Sequence, residues 1–167
     1  KCNETVFFSL YDRLRMEMMY VAVAESLHPL RYILPLNEWI PVYCGASGLA
    51  IMAFLPQEER QRIIERTGLA PVTELTITDP ATLEEHLARV RAQGYALTHG
   101  QRIPGAVGIA APIWDPDGQV MGSVDLTTPE QRFDASRESN LAALVIGCAQ
   151  SITEELGGQV PAYEQLN

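Results

Sequence analysis

Two apolar runs held apart by a tight polar turn constrain this chain more than any other feature. The run AVGIAAPIW, at 106–114, leads through DPDG at 115–118 into VMGSVDLT at 120–127. Aspartate, proline and glycine are turn formers, and the flanking runs are rich in apolar and β-branched residues. The spacing predicts a hairpin, and therefore an antiparallel sheet at the centre of the fold. Pro129 ends the returning strand.

The rest of the chain predicts more strands and a set of helices. Residues 5–11 and 17–25 read as two strands joined by a turn at 12–15. Residues 28–34 read as a third strand, which Pro29 keeps at an edge or limits to the part after the proline, and Pro35 and Pro41 bracket a loop carrying Trp39 and Ile40. Helices are expected at 47–55 and from Pro56 to a stop at Gly68, with Ile63 and Ile64 as core anchors. The clearest local pattern is TITDPATLEEHLARVRAQGYAL at 76–97. Asp79 is its N-cap, Pro80 the first helical residue, Leu83, Leu87 and Val90 its apolar stripe, and Gly94 its stop. A strand follows from Tyr95. A long helix is expected over 136–156, with Leu141, Leu144, Val145, Cys148, Ile152 and Leu156 on one face, and a loose tail after Gly158. Strands, then helices, then strands, then a helix make an α+β pattern, one antiparallel sheet with helices packed against it.

Composition limits what such a domain does. Its 167 residues suit one domain, and 47% hydrophobic residues against 20% charged make it globular. The formal net charge of −9 repels a phosphate backbone, so nucleic acid is not a partner of this surface. No apolar run approaches the roughly 18 residues of a membrane span, and no basic segment followed by an apolar block opens the chain. Cys2, Cys44 and Cys148 are scattered, which fits neither a disulfide framework nor a zinc knuckle and points to a reducing cytoplasm. The start, KCNETVFFSLYD, passes almost at once into an apolar alternation and reads as a cut from a longer chain.

Few residues promise chemistry. His28, His86 and His99 have no metal-ligand spacing, so neither a metal nor a cofactor is expected. Asp115 and Asp117 are explained by the turn they sit in. Cys44 stands near a helix start, where a thiol can be activated, and His99 is its one conceivable base. Asp125 interrupts a half-buried strand and needs a partner there, structural or ligand. Gly105 and Gly108 leave space along a strand, and Trp39, Tyr43, Tyr95 and Trp114 either line an aromatic pocket or, as most large aromatics do, belong to the core. In CGASG at 44–48, two glycines and Ser47 feed into the apolar helix. As bare sequence this is a helix cap with a glycine turn. Its free backbone N–H groups also suit a carboxylate.

Five ordered blocks carry a resemblance over residues 4–157. They are HPLR at 28–31, CGASGLAIMAFLP at 44–56, the 76–97 segment, GAVGIAAPIWDPDGQVMGSVDLTTP at 105–129, and the closing helix ending in ELG at 155–157. Together they resemble the effector-binding domain of the isocitrate lyase regulator (IclR) family of bacterial transcription factors. The resemblance implies a GAF-like fold, a curved antiparallel sheet with helices on its faces, and no catalysis. It makes residues 1–167 one effector-binding domain, with a core at 4–157 and a tail at 158–167. A winged helix-turn-helix preceding it would bind operator DNA. Effectors are expected to be small organic acids, aromatic or hydroxylated, and the assembly a homodimer or homotetramer without membrane contact.

Residue by residue, the resemblance puts the carboxylate on the backbone of Gly45 and Ala46, ahead of Ser47. Thr98 or His99 takes a position often acidic in relatives, Gly108 one that can carry cysteine, and Asp125 and Thr127 two that can carry serine. These departures imply that Gly108 enlarges the pocket and that Asp125 faces a hydroxyl or amine. A bulkier acid than glyoxylate or pyruvate follows. Two other functions stay open: a GAF-like enzyme using the Cys44 thiol, and an oligomerisation module without a ligand.

Overall fold

The computed structural model describes residues 2–161. Six antiparallel strands form one curled sheet: β1 (Thr5–Asp12), β2 (Glu17–Ala24), β3 (Ile40–Pro41), β4 (Ala96–His99), β5 (Ala106–Trp114) and β6 (Val120–Pro129). Their order is β3-β2-β1-β6-β5-β4. The predicted hairpin lies at the centre as β5 and β6, paired from Ala106 opposite Pro129 to Trp114 opposite Val120. Every residue of β5 is buried, because helices cover both faces of the central strands.

Helix α1 (Gly45–Met52) packs on one face, against β4, β5 and β6. Helices α2 (Gln57–Thr67) and α3 (Pro80–Gln93) extend that layer, sharing a core in which Ile63, Leu83 and Leu87 are fully buried. Helix α3 follows its sequence pattern: Asp79 Oδ2 accepts from the Thr82 amide at 2.7 Å, and Gly94 closes it at φ 82°. Helix α4 (Glu138–Glu155) covers the opposite face of β5 and β6 and starts after two short 3₁₀ turns.

Three expectations need correcting. Residues 28–34 form no strand. Pro29 and Pro35 interrupt the donors a ladder needs, and side chains fix the segment instead. The Arg31 Nε donates to Glu25 at 2.9 Å, the Tyr32 hydroxyl donates to the Pro104 carbonyl, and Arg132 donates to the Leu30 carbonyl. The third strand is Ile40–Pro41, inside the expected loop. The buried face of α4 is also rotated. Leu141, Ala142, Val145, Ala149 and Thr153 face the sheet, while Leu144, Cys148 and Leu156 are exposed. Small alanines let the helix approach the strands closely. Finally, α1 begins two residues early, and Ser47 sits in its first turn rather than capping it. Cys44 is the N-cap, without a side-chain hydrogen bond. The tail expected beyond Gly158 falls mostly outside the described residues. Among these, no helix is long and apolar enough to cross a membrane.

Candidate functional site

Alternation along the strands decides which side chains reach α1. On β6, Ser123, Asp125 and Thr127 face it, while Val124 and Leu126 join the core beneath α4. On β4, Thr98 turns inward and His99 outward. A small cleft, open to solvent, lies between these strands and the start of α1. Gly45 and Ala46 form one wall. Gly108, Asp125 and Thr127 form another, with Thr98 beside them. Tyr20, Leu34 and the loop residues Gln101, Arg102 and Ile103 complete it.

The α1 end of the cavity rests on two residues. Gly45 has φ 75°, a backbone conformation that side chains disfavour, and a Cβ there would lie 3.0 Å from Arg102 Nε. The Arg102 Nη2 donates to the Cys44 carbonyl at 2.7 Å and to the Pro41 carbonyl. Arg102 thus ties its loop to the segment that delivers α1. That loop is anchored in turn by the Thr73 and Thr76 hydroxyls, which donate to the carbonyls of Gly100 and Gln101. The first-turn amides of α1 have no intrahelical acceptor, and Gly45 and Ala46 border the cavity.

Asp125 dominates the opposite wall. It is 4% exposed, and its Oδ2 accepts from the Thr127 hydroxyl at 3.1 Å. Its Oδ1 has no hydrogen bond of normal geometry among the described residues. Burial pushes its pKa up to about 6, against the opposing pull of the Ser47 and Thr127 hydroxyls and the Arg102 guanidinium. Tyr20 is buried beside it and shares a 3.0 Å hydrogen bond with Ser47. Burial and the Asp125 charge hold the Tyr20 phenol well above its ordinary range.

The structure brings together Gly45, Ala46, Thr98, Gly108, Asp125 and Thr127. Ser47 stands behind this wall, buried and bonded to Tyr20 rather than bordering the cavity. His99 is on the other side of β4, edge-on to Phe133 and 3.8 Å from Glu130. Gly108 does not enlarge the cavity in the way expected. A Cβ there would sit 2.9 Å from the Ala46 Cβ, so α1 already occupies the space the missing side chain leaves. None of the four expected aromatics borders the cavity: Trp114 packs on Phe54, Tyr43 donates to the Ala70 carbonyl, Tyr95 donates to Glu138, and Trp39 lies under Arg15. The aromatic that does border it is Tyr20, signalled only by its inward place in the β2 alternation. Arg102 was hidden in THGQRIPG, where its one signal was a cation among apolar and turn residues.

Cys44 is fully buried, and burial pushes its thiol pKa up despite the nearby Arg102. His99 faces away from it. This is the reverse of the electropositive, accessible setting that activates a thiol.

Comparison with known proteins places these features in context. Residues 1–154 match the family described as bacterial transcriptional regulator IclR C-terminal. The transcriptional repressor IclR of Escherichia coli K12 is 27% identical over 93% of this chain and 57% of its own length. The HTH-type transcriptional regulator Rv1719 of Mycobacterium tuberculosis is 31% identical over 93% of this chain and 58% of its own. The chain therefore spans less than three fifths of these relatives. The crystal structure of Thermotoga maritima IclR superposes with a TM-score of 0.86 at 27% identity, covering 93% of this chain and 62% of that one.

Proposed function

The chain belongs to the IclR family of bacterial transcriptional regulators, as their C-terminal effector-binding domain, and on that premise we propose that its cavity senses a small organic acid. The carrying observation is the pairing of two unlike walls. One offers the free first-turn amides of α1 to an anion. The other offers buried polar atoms that lack partners. The acid carboxylate rests on Gly45 and Ala46. The remaining acceptors, Gln101 Oε1 and Asp125 Oδ1, suit a hydroxylated acid. Tyr20, Leu34 and Ile103 supply apolar surface for its carbon skeleton, aromatic or aliphatic.

Binding there gathers β2, β5, β6, α1 and the 101–103 loop around one molecule. The effector favours one of two arrangements of a homodimer or homotetramer, and so changes operator affinity in an N-terminal domain. A coupling of this kind is typically about 1–3 kcal/mol. The net charge of −9 leaves DNA contact to that other domain. The domain itself is non-catalytic. The buried, protonated state of Cys44 and the outward turn of His99 speak against thiol chemistry.

Calorimetry with a panel of aliphatic and aromatic acids tests the site. Operator binding and sedimentation of the full-length regulator, with and without the tightest acid, test the output. Saturable binding that is weakened by Gly45→Ala supports the reading. A clear preference for two-carbon or three-carbon keto acids over hydroxylated acids would remove the hydroxylated class, and absence of any binding would remove the acid.

A further inference from the structure

Three buried side-chain atoms on the cavity residues, Gln101 Oε1, Arg102 Nε and Asp125 Oδ1, have no hydrogen bond of normal geometry among the described residues, although the Ser47 hydroxyl lies near enough to Asp125 to act on its charge. Buried polar atoms without partners are costly, so a group of them around one cavity marks what a ligand must satisfy. Their charges also restrict the ligand. The Gly108 Cα position brings the two walls together. One methyl group placed there would touch Ala46 Cβ at 2.9 Å and both Asp125 Oδ1 and Thr98 Oγ1 at 3.4 Å. An anion held by the first turn of α1 is therefore only a few ångströms from the Asp125 carboxylate. Two carboxylates that close do not both stay ionised in a buried site.

The charged and titratable groups around Asp125 determine where relief comes from. Arg102, from the loop after β4, is the one cation here among the described residues, and its Nη2 is already committed to two backbone carbonyls. Tyr20 on β2 and Cys44 before α1 are both held in their protonated forms by burial. Ser47 on α1, Thr98 on β4 and Thr127 on β6 contribute only hydroxyls. With Asp125 ionised, the site is neutral when empty and negative once a monoanionic acid enters. Among the described residues that line the cavity, Asp125 is the side chain free to accept a proton.

Resting on the reading of this cavity as an acid-binding site, we propose that Asp125 takes up one proton as the effector binds, so that a monoanionic acid and a proton enter together. The proton comes from solvent or buffer acid and forms a bond to Oδ1. No other covalent bond changes. Oδ2 continues to accept from Thr127, and protonated Oδ1 becomes a donor to the effector. A hydroxyl on the effector accepts that hydrogen as readily as it would donate to the ionised form. Asp125 is then a proton-linked gate: the same acid binds more tightly to the same domain when the cell acidifies.

Titration calorimetry with benzoate, 3-hydroxybenzoate, lactate and glyoxylate, each in buffers of different ionisation enthalpy, reads the linkage directly. Near pH 7.5 about one proton is taken up per acid bound. Above the free-site value of about 6, affinity falls by close to tenfold per pH unit. In D125N, and independently in D125S, proton uptake and the pH slope both vanish, while melting curves confirm that each variant is folded. Binding without proton uptake in the native chain, or uptake that persists in both variants, overturns this inference and leaves the acid-binding reading standing. No binding by any of the four acids from pH 5.5 to 8 overturns both.

Discussion

Asp125 was visible in the sequence because it broke an apolar alternation, and the structure shows what that break costs. The folded chain holds the Asp125 proton up to about pH 6, whereas an unfolded carboxyl loses it near 3.8. Between those values the native state binds more protons than the unfolded one, so stability falls as pH rises and stays at the lower level above the window. Asp125→Asn removes that cost. In the absence of effector it should stabilise the chain at pH 8 by up to about 3 kcal/mol, and by less at pH 5. Urea unfolding at the two pH values measures the difference. Gly45 makes the opposite case. A side chain there meets both a positive φ and Arg102 Nε at 3.0 Å. Gly45→Ala should cost about 1 kcal/mol or more of stability and weaken acid binding at least tenfold. A variant that binds normally would show that the start of α1 is not the anchor. Arg102 and Tyr20 were not legible at this scale, because their roles depend on a loop and a strand meeting α1 in space.

Elements were legible where local chemistry decides them. Helix α3 has its cap, its first-turn proline and its glycine stop within one segment, and the structure keeps each of them. The β5–β6 hairpin likewise follows from its turn. Sequence failed where tertiary contact decides. Residues 28–34 looked like a strand by residue type, but two prolines and contacts with Glu25, Pro104 and Arg132 make them an irregular segment whose Leu34 reaches the cavity. On α4 the largest apolar residues suggested one face, and close packing against the sheet selected a neighbouring one built on alanines. That rotation has a direct test in the isolated chain. Ala149 is 2% exposed and Leu144 is 40% exposed. Ala149→Leu should destabilise by about 1–3 kcal/mol through overpacking, whereas Leu144→Gln should stay within about 0.5 kcal/mol. Similar costs for the two substitutions would mean that α4 sits on the sheet as its large residues first suggested.

At the scale of the molecule, β5 and β6 connect the site to the rest. Their inner face carries Gly108, Asp125 and Thr127, and their outer face carries Ile109, Ala111, Val124 and Leu126 against α4. A ligand on one face would therefore touch the strands on which α4 rests. The cavity also draws on β2 through Tyr20 and on the 101–103 loop, so it is lined by segments far apart in sequence. Stabilisation by such a ligand follows mass action: at a hundred times Kd it is about 2.7 kcal/mol for one site that the unfolded chain lacks. The expected thermal shift depends on pH as well as on concentration. At a fixed concentration of a monoanionic acid, the shift should shrink from pH 6 to pH 8 in the native chain and stay constant in Asp125→Asn. Thermal unfolding across that range, with and without acid, separates the two cases. A shift equally large at both ends in the native chain would leave Asp125 as a structural group with no part in effector binding.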